Sequence, residues 1–503
     1  MSNVLYDGIF SPNTNSQKAF IITPTAEISY KEFTSLTNQL ANLLVKKGVN
    51  PGDRVAVQAD KSVTYLALYA AAIKAGCVFL PLNTAYTTHE LNYFINDAEP
   101  RLVVTEDKSI NAIASSAKAI NSEIMSLNGD ETGTLVDAAK NESLDFQIVT
   151  RTSEDLAAIL YTSGTTGRSK GAILCHRNLL SNAKVISQAW QFTADDILLH
   201  MLPIYHTHGL FVAINLLAMV GGSIIFLPKF NTDDAISWMP KATSMMGIPT
   251  FYTRLLDCLD FTQELTDHMR LFISGSAPML TETHILFEKR TGKKILERYG
   301  MTETSMSISN PYDEARIPGT VGKPLPGIEI RITDSASRTI VQPGEIGTIE
   351  QRGDNVFLGY WGMPDKTAES FTDDGFFITG DLGREDDNGY ISIVGRDKDM
   401  IISGGLNVYP KEIESLIDDL DDVVESAVIG VPHSDFGEAV VAIIVSSNNS
   451  LSDDKIQNRL VNKLAKFKQP KKYLYLDHLP RNTMGKVQKA ELRKLYANLF
   501  QES

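Results

Sequence analysis

Tyr161-Thr162-Ser163-Gly164-Thr165-Thr166-Gly167-Arg168-Ser169-Lys170-Gly171 decides how the rest of this chain is read. One apolar run, Leu156 to Leu160, leads into it, and a second, Gly171 to Leu174, leads out. Its glycines allow a tight turn that brings backbone N–H groups close to an anion. Its hydroxyls add neutral donors, and Arg168 and Lys170 balance phosphate charge. A strand feeding such a loop is a phosphate-binding arrangement. It is not the usual nucleotide loop, G-x-x-x-x-G-K-[ST] running into a helix. Here Lys170 stands three residues past Gly167 and is followed by glycine. A Ser/Gly-rich surface linker would need neither apolar flank.

On the N-terminal side of the loop, strand-like runs alternate with amphipathic stretches. Arg54 to Gln58, Val78 to Leu82 and Leu102 to Thr105 read as strands. Tyr30 to Lys47 and Tyr65 to Ala75 read as helices from their three- and four-residue apolar spacing. The alternation, from about residue 15 to 230, predicts an α/β fold with mostly parallel sheets. It resumes at Ser244 to Gly247, Leu271 to Ile273 and Lys294 to Glu297. Residues 315–395 change to short strands and Gly/Pro turns, which predicts a small β subdomain. Beyond them, Lys411 to Asp418 and Ile456 to Leu464 read as helices, with Val424 to Val431 and Val440 to Val445 as strands. That pattern predicts a small α+β domain at 397–503 behind a large one at 1–396.

With 503 residues the chain exceeds what one core usually organises. Its net charge of −14 argues against nucleic acid or an anionic membrane as partner, so anionic substrates must meet locally basic sites. Cys77, Cys175 and Cys258 are widely spaced, form no metal-binding pattern and read as small buried apolar residues in a reducing compartment. Met1 to Phe10 shows no signal-peptide pattern, and the expected location is cytoplasmic. Gly209 to Pro228 carries no charge, yet Asn215, Gly221-Gly222 and Ser223 interrupt it. It reads as a buried helix, a turn and a strand rather than a membrane span.

Four more segments carry chemistry. Glu297-Arg298-Tyr299-Gly300-Met301-Thr302-Glu303 follows a strand and offers a ring to stack on a base, a hydroxyl for a phosphate and a carboxylate for Mg²⁺. Thr379-Gly380-Asp381 follows an apolar run, and a carboxylate at the end of a buried strand suits ribose hydroxyls. Gly395-Arg396-Asp397-Lys398-Asp399, followed by Ser403-Gly404-Gly405, joins a charge cluster to a glycine pair, as a hinge would. Pro480-Arg481-Asn482-Thr483-Met484-Gly485-Lys486 is a polar loop presenting one lysine. Each alone is also what a turn, cap or solvated surface would show.

Together, in order and end to end, these segments resemble the adenylate-forming superfamily of acyl-CoA synthetases, peptide-synthetase adenylation domains and beetle luciferases. Leu82-Asn83-Thr84-Ala85-Tyr86, Ile204-Tyr205-His206-Thr207-His208-Gly209-Leu210, Pro249-Thr250-Phe251-Tyr252-Thr253-Arg254 and Arg481 to Lys486 resemble the malonyl-CoA synthetases within it. The resemblance implies two half-reactions: a carboxylate attacks the α-phosphate of ATP, and the thiol of coenzyme A then displaces AMP. It also implies roles. Thr162, Ser163, Gly164, Thr165, Thr166, Gly167 and Lys170 would hold the β- and γ-phosphates. Thr302 would touch the α-phosphate, and Glu303 and Thr166 would ligate Mg²⁺. Ser274-Gly275-Ser276-Ala277-Pro278 and Tyr299 would enclose adenine, with Glu297, Gly300 and Met301 also among the cofactor-binding residues; Asp381 and Arg396 would hold ribose. Lys486 would be the catalytic lysine, with Lys398 at the hinge and Ser403-Gly404-Gly405 lining a pantetheine tunnel.

A dicarboxylate's distal charge must be paired once buried. The resemblance directs Arg254 and Arg298 to it, with His206 at the pocket mouth; His208 is the weaker candidate there, since a core histidine with a satisfied ring is the default. The expected activity is that of an ATP-dependent malonate–CoA ligase, with methylmalonate as a candidate second substrate. A ligase for oxalate or a short monocarboxylic acid is the alternative. Lys455 to Lys489 holds ten basic residues and one acidic one, Asp477. This places it either near the coenzyme A phosphates or in domain contacts.

Overall fold

Arg54–Gln58 and Leu102–Thr105 lie side by side in parallel, with Val55 opposite Leu102 and Val57 opposite Val104. The computed structural model that shows this describes residues 2–162, 169–403, 406–433, 436–447, 451–461, 463–482 and 485–500. Ser163, Gly164, Thr165, Thr166 and Gly167 of the phosphate loop, Gly404 and Gly405, and Thr483 and Met484 lie outside the described residues.

The two strands belong to a sheet ordered Gly359–Tyr360, Lys170–Cys175, Leu156–Thr162, Val78–Pro81, Arg54–Gln58, Leu102–Thr105, Glu123–Ser126. A second sheet runs Lys323–Pro324, Ser305–Ser309, Ile295–Met301, Leu271–Ser274, Ser244–Gly247, Ile197–His200, Ser223–Phe226, Ala19–Ile22, Glu27–Ser29. From Ile295–Met301 to Ala19–Ile22 its strands are parallel, and the outer ones are antiparallel. The α/β reading therefore holds, with a difference at the edges. The run after the phosphate loop does not cross over but turns back on Leu156–Thr162 as an antiparallel hairpin.

Local sequence explains the helices between these strands. Tyr30–Lys46 starts at a reciprocal Ser29/Glu32 capping box, which satisfies two backbone donors that a helix start leaves open. Val63–Lys74, capped by Ser62, is buried along its whole length, in keeping with its apolar composition all round. Side chains of both sheets, among them Val55, Phe79 and Leu102 from one and Leu198, Ile224 and Phe272 from the other, join a single apolar core. The uncharged stretch from Gly209 falls within a π-helical turn, His208–Ile214, an α-helix, Asn215–Val220, and the strand Ser223–Phe226. No helix among the described residues is long and apolar enough to cross a membrane.

The β-rich stretch forms an antiparallel sheet ordered Glu329–Thr333, Gly347–Arg352, Phe377–Glu385, Ile391–Arg396. After Met400 the apolar side chains form clusters separate from the main core. The long hairpin Val423–His433/Gly437–Ser446 sends Val428 and Ala442 to one face and Ile429 and Val441 to the other, the two-residue period of a sheet covered on both sides. The helix expected at Ile456 to Leu464 is Asp453–Val461, with Leu464 buried just beyond it. Cys77 and Cys175 are buried as expected, but Cys258 is only half-buried at the end of a helix, and all three are unpaired.

Candidate active site

The hairpin frames the phosphate loop by pairing Tyr161 with Gly171 and Thr162 with Lys170. A helix, Thr88–Ala98, braces both of its arms. Tyr161 Oη donates to Asp97 Oδ2 at 2.6 Å, and Tyr93 Oη donates to the Ser169 carbonyl at 2.9 Å. Trp361 adds Nε1–H to the Asp97 carbonyl at 3.1 Å and its backbone N–H to the Gly171 carbonyl at 2.7 Å. Gly171 permits that approach, since a Cβ there would stand 2.9 Å from Ile159 and 3.3 Å from Trp361 Cβ. Lys170 Nζ sits 4.8 Å from the centre of the Tyr360 ring.

Tyr360 also links the loop to the acidic site, its hydroxyl donating to Glu303 Oε1 at 3.0 Å. Glu303 is buried in the turn after Ile295–Met301, and loss of solvent pushes its carboxyl pKa up. Gly300 lets this turn close, because a Cβ would stand 1.9 Å from the Ser305 carbonyl oxygen, and Ser305 itself has a φ of 48°. Thr302 is half-buried in the turn. No group of three or more His, Cys, Asp or Glu among the described residues forms a metal cage. One desolvated carboxylate with a single hydroxyl partner fits Mg²⁺ instead, a cation usually held by one or two carboxylates plus phosphates and water.

Next to this lies the pair expected at the ribose. Asp381 is not at a strand end, as its sequence context suggests, but inside Phe377–Glu385, directly opposite Arg396. Gly380, at φ 68°, makes the local break that the sequence pattern takes for an end. Arg396 Nε lies 2.6 Å from Asp381 Oδ1, and Tyr299 Oη donates to Oδ2 at 2.5 Å. Glu297 differs from its neighbours: His284 Nδ1 occupies its carboxylate at 3.1 Å, and burial raises its pKa.

The third group joins the segment expected at adenine, Ser274 to Pro278, to the residues expected at the acyl end. Ser274 and Gly275 are buried, Ser276 and Ala277 half-buried and Pro278 exposed. Ser276 holds a φ of 70°, an uncommon strain that clusters at functional sites. Gly275 lies flat against the Arg298 guanidinium, with a Cβ there only 2.4 Å from Cζ. Arg298 is 4% exposed, and its Nε and Nη2 have no hydrogen-bond partner among the described residues. Burial pulls its pKa down to about 9. His206 is brought down to about 4 by burial and then by the Arg298 charge, and His208 falls for the same reasons. Both imidazoles are therefore neutral. The His208 ring is only half satisfied among the described residues: Nδ1 lies 3.3 Å from Ser276 Oγ, while Nε2, like the nearby buried Thr207 Oγ1 and Ser274 Oγ, has no partner there.

Lys486 comes from the far end of the chain. Asn482 Oδ1 accepts its backbone N–H at 2.9 Å, and Arg481 ties the Gly485 carbonyl to Glu425. Gly485, at φ 74°, seats this turn on the large domain; a Cβ would stand 3.3 Å from Ile248 Cδ1 and 3.6 Å from Thr250 Oγ1. The Lys486 side chain is open to solvent along the cleft, yet protein crowds it. That local desolvation lowers the ammonium pKa, helped by Arg396 and opposed by Asp381 and Asp399.

Lys398 is exposed, and Arg493 holds the adjacent Asp399 at 2.7 Å. Ser403 is buried in a short strand against Leu406 and Gly437. Arg254 is exposed on Pro249–Leu256 and forms no ion pair or hydrogen bond among the described residues. Sequence reasoning missed Tyr360, Trp361 and Asp97, which support the loop; a Gly-Tyr-Trp run after Phe357-Leu358 was the available signal.

These features define an AMP-binding enzyme. The AMP-binding enzyme family matches residues 11–361 and the AMP-binding enzyme C-terminal domain matches 412–486; the chain belongs to this family. It is similar to Malonate--CoA ligase of Arabidopsis thaliana, 32% identical over 550 residues that cover 98% of this chain and 89% of the relative. Malonate--CoA ligase ACSF3, mitochondrial, of Mus musculus is 34% identical over 508 residues, covering 93% and 86%. Among solved structures, ATP bound MatB from Rhodopseudomonas palustris matches with a TM-score of 0.98 at 53% identity, covering 99% of this chain and all of that one. The apo form of that protein scores 0.87.

Proposed function

We propose that this chain is an ATP-dependent malonate–CoA ligase, converting malonate, ATP and coenzyme A to malonyl-CoA, AMP and diphosphate through malonyl-adenylate. The observation that carries the reading is Arg298, a buried guanidinium with open donors beside two neutral histidines. Its fork matches a carboxylate. A fatty-acid pocket would leave that charge buried and unpaired.

The residue roles follow from chemistry. Malonate's distal carboxylate is received by Arg298, and its reacting carboxylate lies towards His206 at the pocket mouth. Arg254, exposed on the helix whose start carries Thr250, contributes less. Thr162, Lys170 and the loop between them grip the departing diphosphate, and Thr302 orients the α-phosphate. Mg²⁺ at Glu303 supplies neutralising charge to the phosphates. Tyr299 and Ser274 to Pro278 flank the base, and Asp381, fixed by Tyr299 and Arg396, presents acceptors to the ribose. Lys486, a compact point charge on a flexible stem, bridges the carboxylate and the α-phosphate as charge develops.

The division into 1–396 and 397–503 with a pivot at Lys398 is supported by the separate apolar clusters after Met400. Turning about that pivot would bring Ser403 and the glycines after it towards the pantetheine chain. The setting we propose is the cytoplasm, in keeping with three unpaired cysteines. An assay of AMP release against malonate, methylmalonate, oxalate and short monocarboxylic acids tests the reading. Malonate should be preferred in the parent protein, with the preference lost in Arg298→Met. Preference for a neutral-tailed acid in the parent would refute it.

A further inference from the structure

Lys61 is a second buried basic side chain without a carboxylate partner among the described residues, and it belongs to no motif. It follows the strand Arg54–Gln58 of one sheet, yet its ammonium reaches the end of Ile197–His200 in the other. Nζ lies 2.7 Å from His200 Nδ1 and 3.0 Å from the His200 carbonyl oxygen, and 4.3 Å from the centre of the Phe226 ring. Among the described residues it forms no ion pair. Burial drives its pKa well down, so the contact persists against a desolvation cost.

His200 is fully buried, and its Nε2 lies 2.9 Å from the Gly209 carbonyl oxygen. A carbonyl only accepts, so Nε2 carries the proton. Nδ1 is then the acceptor that Lys61 requires. The two contacts close a chain, Lys61 to His200 to Gly209, across the neck of the segment 201–208. That segment presents His206, Thr207 and His208. Its neck is already tight, since Gly209 packs on Pro203 so closely that a Cβ would stand 2.0 Å from the carbonyl oxygen. The Leu210 N–H returns to the His206 carbonyl at 3.0 Å.

We propose that Lys61 and His200 are positioning residues of the acyl pocket. By pinning the neck of the 201–208 loop from the opposite sheet, they hold His206 and His208 in register with Arg298. The role of that pocket rests on the malonate reading above; the pinning of the loop does not.

The test uses the full-length protein with Lys61→Met, Lys61→Gln, His200→Leu and His200→Gln. Gln at 61 retains a donor. Gln at 200 retains both a donor for Gly209 and an acceptor for Lys61, whereas Met and Leu retain neither. Amide hydrogen exchange over 201–210 in the free protein is measured beside KM for malonate and KM for ATP. Lys61→Met and His200→Leu should exchange faster across the loop and raise the malonate KM roughly 10- to 100-fold, as small misplacements of binding groups do. KM for ATP should stay within about twofold, and both Gln variants should lie nearer the parent. Unchanged loop exchange in Lys61→Met and His200→Leu would overturn the proposal, as would Gln variants as impaired as Met and Leu, or equal losses for ATP and malonate. Should Lys61→Met not fold, Lys61→Gln against the His200 pair decides the same question. Faster loop exchange in a protein that ignores malonate would refute the substrate while leaving the pinning intact.

Discussion

Replacing Arg298 by methionine removes a charge-assisted fork while keeping an unbranched apolar side chain in the same cavity. In the free protein the guanidinium is 4% exposed and its Nε and Nη2 have no partner among the described residues, so a bound carboxylate would complete a buried charge pair. Removing one member of such a pair costs about 2–5 kcal/mol. With each 1.4 kcal/mol worth a factor of ten, kcat/KM for malonate should fall roughly 30-fold to several thousand-fold. An acid of similar length with a neutral tail, such as butyrate, never made the pair, and its kcat/KM should hold steady or rise. Stability should move the other way. Without ligand, Arg298 is a desolvated charge with no anionic partner among the described residues, and an apolar replacement relieves it. The thermal midpoint of Arg298→Met should therefore exceed that of the parent when neither carries malonate. Diphosphate release with both acids, together with a melting curve, reads all three quantities. Equal loss for malonate and butyrate would refute the reasoning, because Arg298 would then act on something common to both.

Gly275→Ala would set a Cβ 2.4 Å from Arg298 Cζ, so the guanidinium must shift; the malonate KM should rise by about tenfold or more, with ATP affected far less. Lys486→Ala should slow diphosphate release roughly 10²- to 10³-fold, as loss of one charge-stabilising group does. Transfer from supplied malonyl-adenylate to coenzyme A should continue, and its equal loss would remove Lys486 from the first half-reaction. His206 gives a pH signature. Its folded pKa of about 4 lies below the ordinary 6.5, so the unfolded chain takes up the proton first. Its contribution to stability is complete above pH 6.5 and drains away as the pH falls towards 4. Melting curves across that window should drop less steeply for His206→Gln than for the parent.

Sequence pattern reached the parts of this site that are local. The phosphate loop, the turn ending in Glu303 and the Lys486 loop each announce themselves within a dozen residues, and the resemblance ties them together. Burial is another matter. Arg298 sits between Glu297 and Tyr299, in a polar stretch that reads as surface. Its burial comes from residues distant in sequence, among them Gly275, which lies against the guanidinium, and the nearby His206 and His208. Lys61 and His200 stand 139 residues apart, and no spacing rule joins them. Sequence singles out Asp381 at a strand end, but it lies inside the strand, because Gly380 resembles an end while the ladder continues past it. The helix Val63–Lys74 is buried on every side; its three- and four-residue apolar spacing marks Tyr65 to Ala75 as helical but not its first turn, which Ser62 caps.

One apolar core runs through both large sheets, with Val63–Lys74 wholly inside it. Neither sheet has a finished inner surface of its own. Cut apart, each half would expose to water the side chains that the other now covers, at about 25 cal/mol for every Å² uncovered. The two halves resemble separate α/β units in outline, but for folding they are one. A shared core of this kind should melt as one unit, so damage to a buried side chain of either sheet is expected to lower the stability of both. The clusters after Met400 share no part of that core. The segment bearing Lys486 can keep its own integrity while its attachment to the rest changes.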